Sequence, residues 1–381
     1  MALVAAVVGA GVFGAWTALR LAEDGHRVTL IDAFGPANSR ASSSDHSRVI
    51  RAGYGADVIY SHWATASRRD WDWLSAEIGQ PLLTETGALF MGEPGTAYVR
   101  DSYTTLSAIG VAAEWLEPPA IAARFPVMAT DGLGPALFEP HAGALAARAA
   151  VQALVAMATT RAGVEYRTGS IAPLDEDRRT PALALADGTA IDADLYVMAC
   201  GPWLPQVLPH AIGGRIRPTR QEVLYFGVPP GDPRYSAPHL PVWIDFGAGL
   251  YGIPDINGHG FKIGIDRHGV SMEPSTTDRI VSPVVVDTTR QWLARRFPGL
   301  AAAPLVDARV CQYENTSSGD FIIDRHPVWP NLWIVGGGSG HGFKHGPAVA
   351  RYAVDLIAGR VTPEPRFALA SKTGESQRAV F

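Results

Sequence analysis

Glycines at positions 9, 11 and 14 follow directly on the apolar run VAAVV, and Asp32 closes the next apolar run, RVTLID. This spacing does its chemistry through the backbone. Gly9 permits a tight turn out of a strand. Gly11, with Val12 and Phe13 after it, lets main-chain amides approach a pyrophosphate, and Gly14 lets the following helix pack closely on the strand. The helix N-terminus then presents unsatisfied N–H groups and partial positive charge to two phosphates. Asp32 stands where a carboxylate accepts hydrogen bonds from both hydroxyls of an adenosine ribose. It would repel a 2′-phosphate, so the pattern points to NAD or FAD and away from NADP.

A second glycine cluster lies near the end of the chain, at 336, 337, 338, 340 and 342. So many glycines contribute no packing and carry an entropic cost, so backbone must come close to something flat there. His341 and His345 in this loop are four residues apart, but glycines surround them and no carboxylate pattern accompanies them, so no metal site is expected. The two cysteines, Cys200 and Cys311, are far apart in the chain. They form neither a disulfide framework nor zinc-ligand spacing, and a reducing cytoplasm is the expected location.

These residues need a large scaffold, and 381 residues suffice for two domains or more. A hydrophobic content of 47% with 18% charged residues is that of a globular protein. The net charge of −5, with no basic stripe, argues against nucleic acid or an anionic membrane as partner. The apolar start lacks the positive flank of a signal peptide, and no other apolar run reaches the roughly 18 residues of a membrane span.

Strand and helix patterns alternate over the first 80 or so residues: a strand at 3–8, a helix from Gly11, a strand at 27–32, and after a polar loop a helix over about 57–79. From Leu82 the texture turns to strands separated by Gly and Pro. A strong amphipathic helix ending at Gly163, the strand VEYRTG and the run ADLYVMACGPW restore the βαβ texture. Strands dominate 216–270, a helix follows near 286–297, and NLWIVGGGSGHGFKHGPAV reads again as strand, glycine loop, helix. The expected fold is therefore α/β with antiparallel β: a discontinuous Rossmann-like nucleotide domain from 1–81, 141–215 and 312–381, and an inserted mixed-sheet substrate domain from 82–140 and 216–311. The tail after Pro363 reads as irregular, and no coiled coil or exposed amphipathic repeat suggests more than a monomer.

GAGVFG, SSSDHSRVIR, FEPHAG, ACGPW, GFKIG, CQYENTSSGDFIIDRHP and GGGSGHGFKHGP occur in that order along nearly the whole chain. Together they resemble the D-amino acid oxidase superfamily of FAD enzymes, most closely its monomeric sarcosine oxidase and N-methyltryptophan oxidase branch. The resemblance implies FAD rather than NAD. It places a flavin ring against Gly338, Gly340, Gly342 and Phe343, where loop amides and the helix that follows would stabilise negative charge on the reduced ring. Ser42, Ser43 and Ser47 would serve the pyrophosphate and ribitol hydroxyls, Arg48 would lie near the flavin, and Cys200, Gly201 and Trp203 form the turn that closes the cofactor domain.

Further roles come from the same resemblance. Arg51 and Lys344 would bind the substrate carboxylate, the guanidinium with two parallel bonds and the lysine with a point charge. Lys262 would activate oxygen by stabilising superoxide as it forms. Strand alternation aims Phe261 and Ile263 to one face and Lys262 to the other. Cys311 would join the flavin 8α carbon through a thioether, which requires a thiolate favoured by nearby positive charge. Cys200 fits a small buried apolar residue better. Tyr251 and Tyr313 would line the substrate cavity. Asp266 stands where the sarcosine oxidases carry a histidine, with His268 two residues on, and Glu314 and Asn315 replace a threonine-type environment. Two added carboxylates near the cavity would accept a cationic or polar substrate tail.

The expected activity is thus an FAD-dependent amine oxidase. A hydride leaves the α-carbon of an N-alkyl, secondary or primary α-amino acid for the flavin, water hydrolyses the imine, and O2 becomes H2O2. The alternatives are a fructosyl amino acid oxidase, a flavin-bearing subunit without turnover of its own, and a dehydrogenase passing electrons to a carrier.

Overall fold

A computed structural model describes residues 2–372. The first strand, Val4–Val8, pairs in parallel with Arg27–Asp32 on one side and Leu195–Met198 on the other. Its residues are almost wholly buried because both faces are covered, Ala5 and Val7 by the core around Trp16 and Leu19, Ala6 and Val8 by a core that includes Leu183, Ile191 and Leu204, which is why it reads as a continuous apolar run. The full sheet runs Ile322–Arg325, Leu332–Gly336, Leu195–Met198, Val4–Val8, Arg27–Asp32, Glu165–Thr168, with only the first pair antiparallel. The helices Val12–Glu23, Val58–Ile78, Ala147–Thr160 and Gly346–Ile357 pack in one core with this sheet, in which Trp16, Trp71, Val151 and Val349 are fully buried.

The second sheet has eight strands in the order Leu305–Thr316, Ile216–Phe226, Phe261–Ile265, Leu250–Ile253, Val242–Asp245, Ala88–Met91, Ala136–Glu139, Glu114–Leu116. Every pairing is antiparallel except that of Val242–Asp245 with Ala88–Met91. The helix expected near 286–297 is Pro283–Arg296. It lays Trp292 on Trp243 with ring centroids 4.8 Å apart. A small three-stranded sheet, Arg48–Ile50, Gly143–Leu145 and Leu83–Glu85, lies apart from the two large ones. The expected domain boundary between 311 and 312 falls inside the continuous strand Leu305–Thr316.

After Pro363 the chain makes two single turns, Pro365–Phe367 and Leu369–Ser371, and the rest of that tail lies outside the described residues. No helix among the described residues is long and apolar enough to cross a membrane.

Candidate active site

Gly9 sits at φ +105°, and a Cβ there would come within 2.2 Å of the Ala199 carbonyl oxygen. A Cβ on Gly14 would lie 1.8 Å from the Gly9 carbonyl, so Gly14 serves close packing of helix on turn and lies off the cavity wall. The helix begins at Val12, whose N–H donates to Ser43 Oγ at 3.0 Å. Asp32 accepts from the Ala10, Phe34 and Gly35 amides at 2.8, 2.9 and 2.9 Å, which fixes its carboxylate at the strand end. These features open onto a cavity of about 310 Å³. Its wall takes in Gly9, Gly11, Val12, Phe13, Asp32, Ser42 and Ser43 at one end. Cys200, Gly201 and Trp203 line it further along, and Gly338, Gly340, Gly342 and Phe343 line the other end.

A smaller cavity of about 70 Å³ adjoins it, with Arg51, Tyr251, Asp266, Cys311 and Lys344 on its wall. Arg48, Tyr313, Gly340 and Phe343 line both cavities and form their common wall. One strand supplies much of this partition through its pleat: Gln312 and Glu314 face the larger cavity, while Cys311 and Tyr313 reach the smaller. Gly264 makes room for Tyr251 on the neighbouring strand, since a Cβ there would lie 2.3 Å from the Tyr251 ring.

The smaller cavity is strongly polarised. Arg51 is buried, donates to the Gly53 carbonyl, and lies 4.6 Å from the Tyr54 ring centroid. Lys344 is 4% exposed, and its Nζ donates to the His341 carbonyl at 3.2 Å and lies 5.1 Å from the Tyr54 ring centroid. Burial, reinforced by Arg51, holds the Lys344 ammonium well below the usual lysine range. Among the described residues neither cation has a carboxylate partner in an ion pair. The turn carrying Lys344 is pinned by Trp71, whose Nε1 donates to the Lys344 carbonyl at 3.0 Å and whose ring stacks on Phe343. Asp266 faces the cations, with Oδ1 accepting from Tyr313 Oη at 3.0 Å. Burial pushes its carboxyl up to about 6, against the pull of Tyr313, Arg51 and Lys344.

Arg48 ties the two cavities together. Its Nη2 donates to the Ser42 carbonyl at 3.0 Å and lies 3.4 Å from Cys311 Sγ, while Nη1 donates to Asp45 Oδ2 at 2.8 Å. Lys262 and Ser47 sit behind the cavity walls rather than on them. Lys262 is 1% exposed, with Nζ 2.7 Å from Asp45 Oδ2 and 2.8 Å from the Ser47 carbonyl. Phe261 and Ile263 point the other way, into the core, as strand alternation requires. The ammonium is drawn onto Asp45, which nothing in the sequence marks as its partner. Asp45 has φ +105°, rare for anything but glycine. In the polar loop SSSDHS it looks like any turn former.

Glu314 also departs from expectation. It was expected beside Asp266 at the substrate, but its even position turns it to the larger cavity, near Gly201 and Gly338. Its Oε2 is buried without a partner among the described residues, and burial pushes the acid up to about 7 against the pull of the Gly338 and Gly337 amides. His341 and His345 face aromatic residues: Tyr54 Oη lies 2.7 Å from His345 Nε2 and 3.2 Å from His341 Nδ1. The described residues hold no group of three or more potential metal ligands. Cys200 is part of the larger cavity's wall, and burial raises its thiol far above the usual range.

A cavity running from a glycine turn and strand-end aspartate to a second glycine loop, with a small charged cavity at its far end, defines an oxidoreductase that holds a dinucleotide cofactor against a polar substrate. The family model described as DAO, FAD dependent oxidoreductase, matches residues 5–356, and the chain belongs to that family. Monomeric sarcosine oxidase of Streptomyces avermitilis is 30% identical over 367 residues, 94% of either chain. N-methyl-L-tryptophan oxidase of Yersinia pestis is 25% identical and covers 94% of this chain and 95% of its own. Among solved structures, the modified fructosyl peptide oxidase from Aspergillus nidulans superposes with a TM-score of 0.85 at 20% identity, covering 98% of this chain and 94% of that one. Amadoriase I from Aspergillus fumigatus gives 0.81 at 22%, with 97% and 89% covered.

The larger cavity fits FAD. Ser42 Oγ is buried there without a partner among the described residues, the helix start at Val12 opens onto it, and a Cβ on Gly338, Gly340 or Gly342 would collide with Glu314, Tyr313 or Phe13, so only glycine lets this loop close up against the cavity wall as bare backbone.

Proposed function

We propose that the protein oxidises N-alkyl and other small secondary or primary α-amino acids to imines, which water hydrolyses, with O2 as the final acceptor and H2O2 as product. When bound, FAD supplies the acceptor for the hydride from the substrate α-carbon and passes the electrons to dioxygen. Asp32 would hold the adenosine ribose, the Gly9–Phe13 turn with Ser42 and Ser43 the pyrophosphate, and the backbone of 338–343 the flavin ring. The chain's remaining work is to bind, orient and exclude water. The observation that carries this reading is the pair Arg51 and Lys344: two buried cations on the wall of the smaller cavity, without an ion-pair partner among the described residues. Burying cations unpaired is costly, so the site is built to receive an anion. A substrate carboxylate held there would lie between Tyr251 and Tyr313, beside the wall shared with the cofactor cavity.

Arg48 lies 3.4 Å from Cys311 Sγ and lines both cavities, a contact beside the cofactor cavity that supports covalent attachment of FAD through Cys311. Lys262, buried behind Arg48, supplies the fixed cation for the oxygen half-reaction. The relatives named for sarcosine and N-methyltryptophan support an N-methyl substrate. The cavity of about 70 Å³ favours a small amino acid over a sugar adduct. The test is anaerobic bleaching of the flavin by sarcosine, N-methyl amino acids, proline, pipecolate, primary amino acids and fructosyl-glycine, followed by peroxide assay in air. Rapid bleaching by one secondary amino acid with stoichiometric peroxide is expected. Bleaching by fructosyl-glycine alone, or by none of them, would overturn the reading.

A further inference from the structure

We infer that Asp266 takes the proton from the ammonium group of the bound substrate, so that the smaller cavity admits the amino acid as a zwitterion and turns it into the free amine that can be oxidised. This rests on the oxidase reading above. The wall carries the carboxylate of Asp266 with the cations Arg51 and Lys344, the charge complement of a zwitterion: carboxylate toward Arg51 and Lys344, nitrogen toward Asp266; the third cation on this wall, Arg48, is paired with Asp45. Asp266 is fixed by its Oδ1 contact with Tyr313 Oη, and its Oδ2 has no hydrogen-bond partner among the described residues.

The groups facing this carboxylate act on both partners of the transfer: burial raises the affinity of Asp266 for a proton, and Tyr313, Arg51 and Lys344 lower it. Arg51, Lys344 and Arg48 raise the cost of a further positive charge in the cavity, which favours loss of the ammonium proton. Tyr251 and Tyr313 stay neutral, since burial drives both phenols up. His341 lines the same cavity and is engaged with Tyr54. Burial pushes Asp266 up to about 6, toward a competent acceptor at neutral pH. In the transfer an N–H bond breaks and an O–H bond forms on Oδ2. No electron moves, and an ion pair becomes a neutral acid beside a neutral amine, the form a water-poor cavity favours.

The test is the pH dependence of anaerobic flavin reduction by whichever amino acid bleaches the wild-type holoenzyme, compared with Asp266→Asn. The amide keeps an acceptor for Tyr313 and loses the proton acceptor. Methoxyacetate, an anion without an ammonium, is titrated into both proteins by flavin spectral shift to show that the Arg51 and Lys344 side of the cavity is intact. The expected result is methoxyacetate binding as tight or tighter in the variant. Its reduction rate at pH 7 should be down by about tenfold or more and recover about tenfold per pH unit toward the substrate amine's own range. Superimposable pH profiles, with methoxyacetate still bound, would overturn the inference while leaving the oxidase reading in place. Failure of every amino acid to bleach the loaded wild-type protein would overturn both.

Discussion

Lys262 Nζ lies 2.7 Å from Asp45 Oδ2, with Lys262 1% and Asp45 4% exposed, so this is an ion pair formed away from solvent. Asp45 also accepts from Tyr225 Oη and from Arg48, and Arg309 lies 3.6 Å away. Burial opposes its charge, yet Lys262 and Arg48 beside it hold its carboxyl well below the usual range, while burial brings Lys262 down to about 8. Both are therefore charged at neutral pH.

Removing one partner of such a pair strands the other. Asp45→Asn is expected to cost about 3–5 kcal/mol in denaturant unfolding of the holoprotein. The double variant Asp45→Asn with Lys262→Met should cost less than the sum of the two single changes, because the second removes the charge the first leaves unpaired. Additive costs would show that the two charges do not depend on each other.

Lys262→Met also separates the two half-reactions. Flavin reduction by substrate should change little, and reoxidation by O2 should slow by about 10²-fold, the scale for losing one preorganised electrostatic group. Stopped-flow traces in air and under argon measure both rates. Reoxidation at full speed would remove Lys262 from the oxygen chemistry.

Arg51→Met and Lys344→Met should each weaken substrate binding by about tenfold to a hundredfold, the loss of a charged hydrogen bond. Lys344→Met should also stabilise the apoprotein against urea, because its ammonium is buried without an ion-pair partner among the described residues. Weaker binding together with higher stability is the signature of a residue kept for its ligand.

Glu314 carries a pH signature. Its folded-state acid, near 7, lies above the ordinary glutamate value of 4.5, so the folded chain holds a proton that the unfolded chain has released between pH 4.5 and 7. Stability from this group therefore grows as pH falls through 7 and is lost as pH rises, by at most about 1.4 kcal/mol per unit. Subtracting the unfolding curves of Glu314→Gln from those of the wild type between pH 5 and 8 isolates this slope. A flat difference would show that Glu314 is ionised throughout.

Cys311→Ala should release the flavin on acid precipitation, whereas the wild-type pellet should stay yellow and its denatured mass should exceed the chain's by one FAD. An unmodified wild-type mass would leave Cys311 as a neighbour of Arg48 and nothing more.

The nucleotide half was legible because its signals are local: Gly9, Gly14 and Asp32 lie within one strand–helix–strand unit, and the strand Arg27–Asp32 falls on the predicted residues. Arg51, Lys344, Tyr251 and Tyr313 come from separate segments and line one cavity. What escaped was orientation. Glu314 was grouped with Asp266 by proximity, although its parity on the strand, opposite to that of Tyr313, already carried the answer. Asp45 escaped because its partner is 217 residues away in sequence. Nothing in a serine-rich loop marks one aspartate as the counter-ion of a distant strand lysine.

The strand Leu305–Thr316 pairs with Ile216–Phe226 without interruption from Thr316 back to Ala308. Thiol and tyrosine are thus spaced on one side by a single pleat, about 7 Å, while glutamine and glutamate hold the other. The arrangement behaves like a reading frame. Substitutions along this strand can be absorbed one at a time, but inserting or deleting a single residue between Ala308 and Cys311 would exchange the two sides at once. It would carry Gln312 and Glu314 toward the smaller cavity and turn Cys311 and Tyr313 away from it, so variation in length here should be far more damaging than variation in residue type.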